Sequence, residues 1–148
     1  MRAKQVAFAL AALSLGFAAG CARNPALPEA LDGAWDVQQI AGASLGQDVR
    51  IHVNIDAENG LISGFTGCNE FSASMSAFGD SLAVGPVHEE DVPCASDAAA
   101  TDETRFLMVL GSVARYARHG RSLELLPREP GEALLRLRYA DDQDANGG

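Results

Sequence analysis

Lysine is almost missing from this chain. Among 148 residues Lys4 is the only one, and Arg2 is the sole other basic residue in the first twenty. Beyond position 20, nine basic side chains face twenty acidic ones, a net charge of −11. That balance excludes non-specific nucleic-acid binding, which needs cationic side chains to replace phosphate counterions. Long apolar runs are also lacking: Val6–Phe17 spans twelve mostly apolar residues, well short of the ~20 a membrane-crossing helix requires. There is no Gly-x-Ser-x-Gly elbow and no phosphate-cradling glycine loop ahead of a helix. His52, His88 and His119 stand without the neighbours of a nucleophile set. What remains is 47% apolar and 21% charged, a composition that excludes global disorder.

The amino terminus has the order of an export signal. Two cations lie within Met1–Gln5, the apolar run follows, and Ala18-Ala19-Gly20 leads directly into Cys21. Small residues that fit a peptidase cleft, followed at once by cysteine, resemble a bacterial lipobox, in which the sulfur of Cys21 carries a diacylglycerol. With the Cys21 amine also acylated after cleavage, three acyl chains exceed the two signals that stable anchoring in a bilayer needs. Ala22 stands where an Asp would direct inner-membrane retention, so the expected address is the periplasmic face of an outer membrane. The expected organisation is a signal peptide over 1–20, lipidated Cys21 and a tether over 21–31, one domain over 32–140, and a frayed acidic tail over 141–148. The tether, with two prolines, reaches at most about 35 Å.

Between tether and tail the pattern is mostly that of strands. Trp35 and Val37 alternate with polar neighbours, as do Ile51, Val53 and Ile55, the period of a strand with one wet face. Asn59-Gly60 suits a tight hairpin turn before Leu61–Phe65. Further strands are expected over Phe71–Phe78, from Leu82, over Leu123–Leu126 and over Ala133–Tyr139. One stretch, Asp102–His119, has a helical period that puts Phe106, Leu107, Leu110, Val113, Ala114 and Ala117 on one face. Thr101 is its expected N-cap and Gly120 its stop. The expected fold is mainly β: a small antiparallel barrel or strongly bent sheet with one amphipathic helix packed on it.

With Cys21 acylated, Cys68 and Cys94 are an even remainder, which in an exported protein indicates a disulfide. A loop of that size corresponds to roughly 3.5 kcal/mol by chain entropy. A redox-active pair is the rival reading, weakened by the lack of Cys-x-x-Cys spacing and of nearby lysine. Around Cys68 runs Gly64-Phe65-Thr66-Gly67-Cys68-Asn69-Glu70-Phe71. Gly67 permits a sharp turn, Asn69 bonds nearby backbone, and Phe65 and Phe71 are expected to bury on either side.

This stretch resembles the G-x-T-G-C-N-x-[FY] signature of the META domain family, which includes a heat-shock lipoprotein. The resemblance continues through Trp35, Cys94, Glu103, Phe106, Leu110, Leu123 and Leu125 and covers about residues 31–139. Ala73, Met75, Glu90, Val92 and Pro93 depart from the family pattern. The resemblance implies a mostly β fold with a helix, an envelope location and an association with stress or drug tolerance, with no established reaction.

Other candidate sites have plain readings beside them. His88-Glu89-Glu90-Asp91 offers cation ligands, but consecutive residues do not converge on one ion, so a solvated loop is expected. Asp56–Gly60 lacks the spacing of a calcium loop. Arg105, Arg115, Arg118, His119 and Arg121 form an expected basic spot at the helix end, matching the dipole or meeting anionic lipid. No metal or cofactor is expected. The expected function is a non-enzymatic, membrane-anchored lipoprotein that binds an unidentified envelope protein or small molecule. The alternatives are a carrier of lipophilic molecules inside the barrel and an inhibitor of an envelope hydrolase.

Overall fold

The computed structural model describes residues 27–140. A single 3-10 turn (Glu29–Leu31) precedes β1 (Gly33–Ile40), β2 (Ala43–Ser44), β3 (His52–Asp56), β4 (Leu61–Phe65), β5 (Glu70–Phe78), β6 (Ser81–Val84) and β7 (His88–Glu89). Helix α1 (Asp97–Leu110) leads to β8 (Arg115–His119), β9 (Ser122–Leu126) and β10 (Leu135–Tyr139). Eight strands close an antiparallel barrel in the order β1-β3-β4-β5-β6-β8-β9-β10, with β10 returning to β1. The two-residue strands β2 and β7 sit beside β1 and β5. The expected class is the observed one.

Alternation fills the interior. Val53 and Ile55 of β3, Phe71, Ala73 and Met75 of β5, Leu123 and Leu125 of β9, and Leu135 and Leu137 of β10 are all buried. In β1 a bulge between Val37 and Gln39 shifts the phase, so Trp35, Val37 and Ile40 all point inward. With the axis occupied by these side chains, the grooves described lie on the outside and open to solvent.

The helix corrects the sequence-based expectation. It starts five residues earlier, where Ser96 rather than Thr101 caps it by accepting from the Ala99 N–H at 3.2 Å. It ends at Gly111 rather than Gly120. Residues 115–119 are instead a strand, and Gly120 sits in the β8–β9 hairpin. The reason is tertiary: β8 is the stave that joins β6 to β9 and closes the barrel, and Val113, Ala114 and Ala117 offer too little apolar bulk to hold another helical turn against that pairing. The basic spot disperses with it. Arg105 lies on α1, while Arg115, Arg118 and His119 lie on β8.

Both barrel ends are closed. At one, α1 reaches the end of β1, the Gly46 loop and the β4–β5 corner. Buried Asp102 accepts from the Gly46 N–H at 2.6 Å and from Arg105 at 2.9 Å, and Arg105 also donates to the Ile40 carbonyl at 2.8 Å. At the other end lie residues 27–32. Leu27 and Leu31, expected in the tether, are core side chains with 4% and 0% exposure. The Leu27 N–H donates to Ala57 O, and the Leu31 carbonyl accepts from Trp35 Nε1 at 3.0 Å. Arg118 lies 4.7 Å over the Trp35 ring and bonds the Ala30 carbonyl.

The β3–β4 connection also departs from the expected two-residue turn: of Asn59-Gly60 only Gly60 takes a positive φ, and the loop runs over 57–60. The Asn59 side-chain amide, and then its backbone N–H, bond the Asp56 carboxylate and hold its pKa below the ordinary value. A lowered folded-state value means this support is present above the unfolded-state pKa and lost as pH falls through the folded one. An NMR titration should find Asp56 titrating below the usual aspartate range, and Asn59→Ala should move it back up; an unmoved midpoint would refute the assignment.

Candidate functional site

The chain leaves β4 and enters β5 through a corner at Thr66–Asn69. Gly67 takes φ +91, and a Cβ there would sit 2.9 Å from Val49 and 3.2 Å from the Arg50 carbonyl, so only glycine fits. The Thr66 N–H donates to Asn69 O at 2.9 Å, and Thr66 Oγ1 accepts from the Asn69 N–H at 2.9 Å. Thr66 is fully buried and Asn69 is 3% exposed, burial that neutral polar groups tolerate only when bonded.

Asn69 ties the corner to the segment after β7. Its Oδ1 accepts from the Val92 N–H at 2.9 Å, and its Nδ2 donates to Val92 O at 3.1 Å. The Cys68–Cys94 disulfide reinforces the same junction, with Cα atoms 5.1 Å apart. Glu103 reaches in from α1. It accepts from Thr66 Oγ1, from the Asn69 N–H at 3.1 Å and from Asn69 Nδ2 at 3.0 Å, and its Oε1 lies 3.6 Å from Cys94 Sγ. All three donors are neutral. Phe71, one strand residue on, packs edge-on against Phe106 at 5.1 Å, which seats the helix over the corner.

Thus Thr66, Gly67, Cys68, Asn69, Phe71 and Cys94 of the predicted set converge on one place, with Gly64 two residues away in β4. Cys21 lies outside the described residues. Phe65 does not bury: it pairs with His52 and Glu70 on the outer face and is 41% exposed. His88 and Glu89 are exposed in β7, Glu90 and Asp91 are exposed just beyond, and Glu90 bonds Glu70 twice, its carboxylate accepting from the Glu70 N–H at 3.4 Å and its own N–H donating to the Glu70 carbonyl at 3.1 Å. Among the described residues, the cluster of cysteine, histidine and acidic side chains close enough to share an ion is Cys68, Cys94 and Glu103. His52 meets Asp36 at 2.5 Å and borders a shallow outer groove with Phe65, Glu70 and His88.

Sequence reasoning had Glu103 as a helix residue but not as the hub of this network. The signal was present: Glu103, Phe106 and Leu110 recur at i, i+3, i+7, so one carboxylate shares the buried face. Asn69→Asp tests the network. It keeps the Val92 N–H bond but replaces the donor to Glu103 with a second carboxylate. The expected loss is about 2 kcal/mol at neutral pH, partly regained in acid as one of the pair is protonated. Denaturant melts at pH 7 and pH 4 that differ no more than wild type would overturn this.

A family model described as META domain matches residues 28–141. Among solved structures, an NMR structure of a protein from Burkholderia xenovorans aligns with TM-score 0.60 and 18% identity, over 91% of this chain and 99% of that one. A second, described as an NMR structure of the protein, aligns with TM-score 0.58 and 16% identity, over 75% and 92%. At these identities the likeness shows the shared fold. No curated protein matches the chain.

Proposed function

The chain belongs to the META domain family, and on that premise we propose that it is a lipid-anchored envelope lipoprotein whose barrel binds other envelope components without catalysing a reaction. The observation that carries the reading is the corner at Thr66–Asn69. Its polar atoms face one another: hydroxyl, amide and carboxylate are engaged across three chain segments bridged by a disulfide. Such a network holds a shape, and it leaves the outer groove beside His52, Phe65 and His88 as a rigid surface.

Export and anchoring are supported by the charged, apolar and small-residue order ending in Cys21. The Cys68–Cys94 bridge agrees with an oxidising compartment. Among the described residues the first in the core, Leu27, follows Cys21 by six positions, a span of at most about 21 Å, so an acylated Cys21 would keep the barrel against the membrane. A role in envelope stress or drug tolerance rests on the family association alone.

Cys21→Ala is expected to move the protein from the membrane fraction to the soluble fraction, with loss of acyl mass from the processed amino terminus. A wild-type amino terminus without acyl groups by mass spectrometry would defeat the anchoring reading. Capture by the purified protein of an envelope hydrolase that it inhibits would favour the inhibitor alternative instead.

A further inference from the structure

Glu103 is a carboxylate held in place by three neutral donors while one of its oxygens lies beside a cysteine sulfur. The latch uses both oxygens of that carboxylate, Oε2 accepting from Thr66 and the Asn69 N–H and Oε1 from Asn69 Nδ2. We propose that reduction of the Cys68–Cys94 bridge converts this corner into a site for a borderline-soft divalent cation of the zinc class, bound by Cys68 Sγ, Cys94 Sγ and Glu103 Oε1 with water as the fourth ligand.

The geometry fits. Tetrahedral zinc, at about 2.3 Å from sulfur and about 2.0 Å from a carboxylate oxygen, places those two ligand atoms about 3.5 Å apart. Cys94 Sγ and Glu103 Oε1 are already 3.6 Å apart. The three ligand atoms lie within 4.8 Å of one another. The outer contacts are in place as well. Thr66 Oγ1 and the Asn69 N–H hold Oε2 and so aim Oε1 at the sulfurs. Asn69 Nδ2 lies 3.2 Å from Cys68 Sγ, close enough for the hydrogen it gives Glu103 Oε1 to be shared with a ligating thiolate, and such partners orient metal ligands. Cys68, Cys94 and Glu103 are all half-buried, which leaves an entry path for a reductant and an ion.

The chemistry balances with an external dithiol as reductant. Its two electrons and two protons pass to the bridge, giving two thiols here and a disulfide on the reductant. The incoming cation then displaces both thiol protons to solvent. Two thiolates and a carboxylate leave the site at −1 with the ion bound. The barrel would thereby report reducing conditions by taking up metal, and the metal would delay re-formation of the bridge.

The test uses the full chain carrying Cys21→Ser, so that no third thiol contributes, with Co²⁺ as the probe. The reduced protein should bind one ion per chain with thiolate-to-cobalt charge-transfer absorption that added Zn²⁺ abolishes, whereas the oxidised protein should show none. Glu103→Gln should weaken binding at least about tenfold while circular dichroism stays that of the barrel. Cys94→Ser, reduced, should lose about half the charge-transfer intensity, an independent check should Glu103→Gln not fold. A folded, reduced protein without the absorption, equal binding by Glu103→Gln, or loss of the barrel signal on reduction would each overturn the proposal.

Discussion

Gly64→Ala should cost at least about 3 kcal/mol and prevent β3 and β4 from pairing in their native register. A Cβ on Gly64 would lie 2.0 Å from the His52 carbonyl oxygen, 2.9 Å from its carbon and 3.1 Å from Val53 Cα. These are backbone atoms of the strand hydrogen-bonded to it, and backbone cannot swing aside as a flexible side chain does. Either the strands part, breaking ladder bonds, or β4 twists and pulls on Thr66, two residues on. Overpacking a well-filled interior typically costs 1–3 kcal/mol, and a clash with immovable backbone exceeds that range. Gly79→Ala is the matched control. Gly79 has φ +62 with nothing within 4 Å of a Cβ, so only the left-handed conformation is strained, at roughly 1 kcal/mol. Urea denaturation of both variants decides the matter: similar midpoints for the two would refute the steric account.

Trp35→Ala should destabilise by about 3–5 kcal/mol, a large share of the ~5–15 kcal/mol available to a domain. The indole is fully buried and contributes three separate contacts. Its Nε1 donates to the Leu31 carbonyl, its edge meets Tyr139 at 5.2 Å, and its face receives the Arg118 guanidinium. Truncation leaves a cavity and removes what binds residues 27–32 to the barrel end. Trp35→Phe separates the parts. It keeps most of the ring area but leaves the Leu31 carbonyl without its donor, and a loss of about 1–3 kcal/mol is expected. Amide exchange should show Leu27–Leu31 opening first. Unchanged protection there, or equal losses in the two variants, would contradict the assignment.

The strands of β3, β5, β9 and β10 were legible because each carries its own alternation, and inward residues such as Val53, Phe71 and Leu137 take no instruction from neighbours to face the core. The corner motif was legible as a constellation of residue types that only a turn needs. Three features were not. β8 reads as helix because Arg115–His119 has no alternation of burial, each residue being half-buried or exposed; pairing on both edges is what makes it a strand. Leu27 and Leu31 read as tether because two prolines break any period, and their burial depends on the barrel mouth beside Ala57. Phe65 was misjudged because its partner across the sheet, not its hydrophobicity, sets the face it occupies.

Taken alone, the chain determined a β-rich single domain, an acidic surface, a paired Cys68 and Cys94, and a tight turn around Gly67. These follow from local properties: alternation, charge, residue size and backbone freedom. Only the tertiary structure decided that the sheet closes on itself, that its interior is filled, that residues 27–32 and α1 close its two ends, and that Glu103 meets Thr66, Asn69 and Cys94. Those outcomes draw on contacts between residues far apart in the chain, such as Thr66 and Glu103 or Ala30 and Arg118. Their energies arise from complementarity between surfaces that do not exist until the barrel has formed.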